Sequence, residues 1–296
     1  MNFREKIINA IYGQCVADAV GNNFEFKSNI NPEDVIIYAN ESKSLIISDD
    51  SQMGPLFGFE AIRNMSVYDE TIEEQVEKSF TDSYLDWYCT QTTTPLNYLA
   101  HKTGVLSFQS MYSVQAPGNT CLSALKALSY YGGIVKNDSM GCGSVMRLLP
   151  LLKFLGSPHN LPLEKVIELA KITGKITHKH KDNDPAIEKY IKNAYDIIHG
   201  NVPRDRVEGY QSHKISDLGE GWIAPECVDM AILAYTQAET FDELLQLSIA
   251  HDGDSDSVAA VAGSLWGLSG KEVPQKYIDK IDSLDAIKYV INNYIE

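Results

Sequence analysis

Cysteine is scarce in this chain and follows no pairing pattern. Cys15, Cys89, Cys121, Cys142 and Cys227 are the 5 thiols among 296 residues, with no CxxC and no Cys/His metal spacing. An odd, dispersed set argues against a disulfide framework and against structural zinc, so all are expected as reduced, mostly buried thiols. Long apolar runs are missing too. The nearest, Ile249 to Gly270, contains Asp252, Asp254 and Asp256, whereas a bilayer span needs about 20 predominantly apolar residues. Positive charge is in deficit, with 25 Lys+Arg against 40 Asp+Glu and a formal net charge of −15. Such a surface repels phosphate backbones and anionic lipid and attracts cations, so neither non-specific nucleic-acid binding nor a membrane partner is expected. Met1 leads straight into an amphipathic pattern without a cleavable apolar segment, and the expected location is cytoplasmic.

No repeat, low-complexity segment or Pro/Gly-rich linker divides the chain, so residues 1–296 read as one compact domain. Most of it is helical by periodicity, and strand-like alternation is scarce. In the first segment Ile7, Ile8, Ile11, Tyr12, Cys15 and Ala19 recur at helical steps, and Gly13, Ala17 and Gly21 form a small-residue stripe that invites close packing. Further helices are expected over Thr71–Tyr88, Asn119–Tyr131, Leu163–Thr173, Pro185–His199, Pro225–Gln237, Thr240–Ala250, Ser255–Leu268 and Gln275–Asn293. Asn31-Pro32 and Asp184-Pro185 read as Asx caps before a first-turn proline, and Thr240 to Glu243 as a capping box. Irregular loops are expected over Lys27–Phe59, Gln91–Gly118 and Asn201–Gly221.

Four clusters carry candidate chemistry. In Ser48-Asp49-Asp50-Ser51 two carboxylates lie between hydroxyls, a donor set suited to Mg²⁺, Mn²⁺ or Ca²⁺, although a helix N-cap with an acidic first turn explains it equally well. His251-Asp252-Gly253-Asp254-Ser255-Asp256-Ser257 opens a helix with a second such set, and Ala259, Gly263 and Gly267 at steps of four make that helix a close packer. Four aspartates meeting in a dry site would repel one another without cations, so the two clusters read as halves of one metal site. An EF-hand loop is excluded, because the twelfth position from Asp252 is Gly263 and not Glu. In Gly13 to Glu25, Asp18 interrupts an apolar face and reads as structural, while Glu25, in the loop beyond, is better placed for function. Gly141-Cys142-Gly143-Ser144 and Gly118-Asn119 open helical segments where amides can face phosphate, although a tight turn explains the first as well. His178, in Thr177-His178-Lys179-His180, reads as site-lining or structural.

In order along the chain, these blocks resemble the ADP-ribosylglycohydrolases, the family of dinitrogenase-reductase-activating glycohydrolases and ADP-ribosyl-acceptor hydrolases. The blocks are Gly13 to Glu25, Ser48 to Met53, Gly118 to Thr120, Gly141 to Arg147, Thr177-His178, Gly221 to Ala224 and Gly253 to Gly263. The resemblance implies an all-α domain of orthogonally packed helices with a dinuclear cleft holding two Mg²⁺ or Mn²⁺ ions. It further implies metal ligation by Ser48, Asp49, Asp50, Asp254, Asp256 and Ser257, catalysis involving Glu25, Asp49 and Asp256, and substrate contacts from Gly118, Asn119, Gly141, Gly143, Ser144 and His178. The chain departs from the family pattern in carrying Ser for Thr at 48, 51, 255 and 257, Ala17 for Gly, Asn23 for Pro, Cys142 for Asn, Val145 for Ala and Asp252 for Gly. All the metal-type carboxylates survive. The expected function is therefore metal-dependent removal of ADP-ribose from a modified protein or small conjugate, with arginine as the first acceptor. A catalytically silent, crystallin-like binder is the alternative.

Overall fold

Small residues decide the centre of the molecule. The computed structural model describes residues 1–296 apart from 66–69, 96–98, 102–103, 131–132, 157–159, 202–213 and 296. Helices follow in the order α1 (Phe3–Gly21), α2 (Pro32–Glu41), α3 (Asp49–Ser51), α4 (Phe57–Asn64), α5 (Ile72–Gln91), α6 (Asn119–Leu128) and α7 (Leu163–Lys175). They continue with α8 (Asn183–Ile198), α9 (Ala224–Gln237), α10 (Phe241–Ile249), α11 (Ser255–Leu268), α12 (Gln275–Ile278) and α13 (Leu284–Tyr294). Among the described residues there is no strand, only the isolated bridges Leu45–Ile281 and Gly141–Ile223. The class is all-α, as expected.

The Gly13, Ala17 and Gly21 stripe of α1 meets the Gly263 and Gly267 stripe of α11. A Cβ on Gly13 would stand 2.2 Å from the Gly263 carbonyl oxygen, one on Gly267 would stand 2.4 Å from Ala10 Cα, and one on Gly21 would stand 2.6 Å from the Ser255 carbonyl oxygen. Backbones thus touch, and the order of these contacts makes the two helices antiparallel. The C-terminal end of α1, with Asp18, is thereby set against the N-terminal end of α11, with Asp254 and Asp256. Around this pair, α9 and α10 pack on α11, α8 on α7 and α9, and α5 on α4. The apolar side chains between them form one buried cluster that includes Trp87, Tyr84, Phe57 and Tyr190.

Several expected boundaries are corrected. The Lys27–Phe59 stretch contains α2, α3, a π-helical turn at Gln52–Leu56 and the start of α4. Asn31 does cap α2, its side chain accepting from the Glu33 N–H, and the Thr240 capping box is present. The cap at Asp184 is not: α8 starts at Asn183, so Pro185 lies within its first turn. The Gln275–Asn293 helix is two helices, because Leu45 pairs with the intervening segment through Leu45 N–H to Lys280 O (2.8 Å) and Asp282 N–H to Leu45 O (3.0 Å). Helix α6 ends at Leu128, with Ser129 as its C-cap, short of the expected Tyr131; Tyr131 itself and positions 202–213 of the third loop lie outside the described residues.

Candidate active site

Asp18 sets the local geometry from within the α1–α11 contact. Fully buried, its carboxylate accepts from the Ser48 hydroxyl (2.6 Å) and from the N–H groups of Ser48 and Ser51 (both 3.1 Å). This is the structural role expected of it, and it fixes the start of α3. Ser48 is also the N-cap, its oxygen accepting from the Asp50 N–H (3.2 Å). The cap reading of the first acidic cluster is therefore correct, and it leaves Asp49 and Asp50 free to face elsewhere. Asp49 Oδ2 accepts from the Gly118 N–H (3.2 Å), while Asp50 Oδ1 is buried with no hydrogen-bond partner.

The second cluster arrives from α11. Asp254 caps the helix, with Oδ1 accepting from the Ser257 N–H (3.2 Å) and Oδ2 from the Cys142 thiol (2.8 Å). Asp256 Oδ1 accepts from the Ser257 N–H (3.0 Å), and the Ser257 hydroxyl points to Cys142 Sγ (3.4 Å). Asp49, Asp50, Asp254, Asp256 and Ser257 line one cavity of about 320 Å³ together with Glu25, Gly118, Asn119, Gly141, Gly143 and His178. Two segments some 200 residues apart in sequence thus meet. Phe26, Trp222, Cys121, Cys142 and Met146 also line the cavity. Of these, Cys142 belongs to the candidate phosphate-facing turn, whereas nothing in the sequence gives Phe26, Cys121, Met146 or Trp222 a site role of its own, although Phe26 follows Glu25 directly.

Ser48 and Ser144 do not line the cavity. The Ser144 hydroxyl donates to the Gly141 carbonyl (3.1 Å). Most of the amides at this turn, expected to face phosphate, are engaged within the protein. The N–H of Gly141 goes to Ser139 Oγ, that of Cys142 to Trp222 O, that of Ser144 to Gly141 O, and those of Val145 and Met146 to Cys142 O. The two glycines make room for His178 instead, since a Cβ on Gly143 would stand 2.7 Å from its Cε1 and one on Gly141 would stand 3.0 Å from its Nε2. His178 Nδ1 lies 2.8 Å from the Thr177 hydroxyl, which accepts from Arg147 Nη2 (2.6 Å). Burial, then the Arg147 charge, lower the His178 pKa to about 3, so a neutral ring faces the cavity. The start of α6 remains open: Gly118 is its N-cap and no side chain caps its first amides.

Burial, followed by the crowding of acids, dominates the electrostatics. Burial first, then the Asp256 charge, push Glu25 up to about 8 and Asp18 up to about 7. The same two causes push Asp49, Asp50 and Asp254 well above the usual carboxylate range. Unfolded carboxyls ionise near pH 4, so above that pH the unfolded chain releases protons that the ion-free native state retains. Stability conferred by a raised pKa is complete below the unfolded value and is lost as pH rises through the folded one. With EDTA present, the melting temperature is therefore expected to fall from about pH 4 to about pH 8. Excess Mg²⁺ or Mn²⁺ should flatten that slope, and thermal denaturation across the range checks both. A melting temperature that rises through this window in EDTA would contradict the crowding.

The sequence profile of the ADP-ribosylglycohydrolase family matches residues 1–184 and 181–295. This chain belongs to the ADP-ribosylglycohydrolase family. A solved structure, an ADP-ribosylglycohydrolase-related protein complex, shares the fold with a TM-score of 0.67 over 99% of this chain and 98% of that one, at 18% identity. An uncharacterized protein of Archaeoglobus fulgidus is 23% identical over 183 residues, which is 52% of this chain and 58% of that relative. The family hydrolyses ADP-ribosyl glycosidic bonds and is generally metal-dependent. Among the described residues no helix is long and apolar enough to cross a membrane.

The residues at the cavity fit a hard cation in type: carboxylate and hydroxyl oxygens, with Asp50 Oδ1 buried and unpartnered. Their present arrangement is not a closed coordination shell. Among the described residues no group of three or more His, Cys, Asp or Glu side chains is arranged to hold a metal ion. Asp254 in particular is engaged by Cys142 and Asp256. The expected dinuclear cleft is thus represented by its acidic cavity alone.

Proposed function

We propose that this chain, acting as a single domain, is a Mg²⁺- or Mn²⁺-dependent hydrolase that removes ADP-ribose from a modified acceptor, with protein arginine as the first candidate. The observation that carries this reading is the convergence of Asp49, Asp50, Asp254 and Asp256 on one cavity, with a buried carboxylate oxygen lacking any partner. Ser48, Asp49, Asp50, Asp254, Asp256 and Ser257 are the residues that would hold two cations. Ser48, set behind the cavity wall with its hydroxyl donating to Asp18 and accepting from the Asp50 N–H, would reach a cation only by giving up that cap. Bound cations would supply Lewis acidity and lower the pKa of a water at neutral pH.

The remaining work belongs to the chain. Glu25, half-buried and raised to about 8, is suited to holding a proton and handing it to the leaving group. The start of α6, at Gly118 and Asn119, has no side-chain cap and is suited to the diphosphate, through the first helical amides rather than the Gly118 N–H that Asp49 holds. Neutral His178 adds an uncharged imidazole to the same wall, where a cation's desolvation would be unfavourable. Cys142 favours the silent alternative, because its thiol occupies Asp254. A hydrolysis screen separates the two readings. Arginine-, serine- and nucleic-acid-linked ADP-ribose are offered with Mg²⁺, with Mn²⁺ and with EDTA. Release from the arginine conjugate that EDTA abolishes is expected, and no release from any conjugate would leave only a binding protein.

A further inference from the structure

Phe26 sits at the cavity mouth in a conformation that demands an explanation. Its φ is +62°, a left-handed value that costs a bulky residue about 1 kcal/mol or more. Burial does not offset this strain, because the side chain is 76% exposed. The ring instead lies flat on Trp222, with centroids 5.3 Å apart and planes inclined by 20°. Both rings border the cavity that holds the acids.

The platform is held from several sides. The Trp222 carbonyl accepts from the Cys142 N–H (3.0 Å), and the Gly221 N–H donates to Glu226 Oε2 (3.2 Å). The Asp254 N–H donates to the Glu220 carbonyl (2.8 Å), which ties this loop to the start of α11. Across the mouth, the Asn29 N–H donates to Asp252 Oδ1 (2.7 Å) and anchors the loop that carries Phe26. Acidic side chains flank the rings: Glu25 precedes Phe26, and Glu220 Oε2 accepts from the indole N–H (3.1 Å).

We propose that the Phe26–Trp222 stack, flanked by Glu25 and Glu220, is the acceptor subsite and takes a planar cation, the guanidinium of an ADP-ribosylated arginine. The proposal deepens the function given above and rests on it. A guanidinium lies flat on aromatic faces and pairs with carboxylates at its edge, and this mouth offers both. Adenine is the competing planar occupant, but it is neutral, so the Glu220 carboxylate offers its amino group a hydrogen bond at most, whereas it offers a guanidinium a charge pair as well. The stack also adjoins Glu25, which feels the charges of Asp256 and Asp49. The anomeric carbon belongs beside those acids, and the diphosphate and adenine lead away from it.

Steady-state kinetics on an ADP-ribosyl-arginine peptide test this with Phe26→Ala, Trp222→Leu and Phe26→Trp, each with free ADP-ribose as product inhibitor. The expected result is a KM raised about tenfold in Phe26→Ala and Trp222→Leu, in line with an exposed to partly desolvated cation–π contact. Phe26→Trp should restore it, and the inhibition constant of ADP-ribose should move far less than KM. An inhibition constant that rises in step with KM would assign the rings to adenine or ribose and overturn the proposal, and so would an unmoved KM. Wild-type cleavage of serine-linked but not arginine-linked conjugates would overturn it while sparing the hydrolase reading. Absence of any cleavage by the wild type would remove both.

Discussion

Asp256→Ala is expected to reduce ADP-ribosyl hydrolysis by about 10³-fold or more, since losing several kcal/mol of charge stabilisation at about 1.4 kcal/mol per decade has that effect. Its fold should survive. Asp256 is the second-ranked cause, after burial, of the raised pKa of Asp18, Glu25, Asp49, Asp50 and Asp254. Removing it relieves repulsion in the ion-free protein, so the EDTA-treated variant should melt no lower than the wild type at neutral pH. Added cation separates the two proteins. A ligand at a hundredfold excess over its dissociation constant stabilises by about 2.7 kcal/mol, so Mg²⁺ or Mn²⁺ should raise the wild-type melting temperature and leave that of the variant nearly unmoved. Asp49→Ala should behave alike. Wild-type turnover in either variant would reject the ligand assignment.

Glu25→Gln is expected to lower turnover by about 10² or more, the usual size of a general acid–base contribution, while weakening cation binding less than Asp256→Ala does. Glu25 lies in the loop beyond α1, half-buried and lining the acidic cavity, and burial with the nearby carboxylates raises it to about 8. Glutamine keeps the shape and removes the transferable proton. Turnover and calorimetric cation affinity, measured on the same preparation, distinguish the roles. A parallel fall in both would make Glu25 a ligand, and unchanged turnover at saturating cation would end its catalytic assignment.

Much of the scaffold was legible because its signals are local. The period of α1, the capping box of α10, and the small-residue stripes at Gly13 and Gly263 each follow from side chains a turn or two apart. The misreadings have separate causes. Helix α2 buries only Val35 and Ala39, too thin a stripe to stand out, and Gly54, Pro55 and Gly58 obscure the period through the π turn into α4. The break between α12 and α13 is made by Leu45, more than 230 residues away in sequence.

For the site, the sequence by itself determined the inventory: two acid-and-hydroxyl clusters, a glutamate beyond a helix end, and the family to which the whole chain belongs. Only the tertiary structure decided how that inventory is used. Backbone contact between α1 and α11 brings Asp18 beneath Ser48 and the two acid clusters to one cavity. The Gly141 to Met146 turn engages the amides of Gly141, Cys142, Ser144, Val145 and Met146 within the protein, and its glycines make room for His178. Phe26 and Trp222 become a pair only because two loops close over the start of α11. The physical reason is the same throughout. Residue type and spacing state what a side chain can donate, whereas which donors remain available depends on partners that only the folded chain brings near.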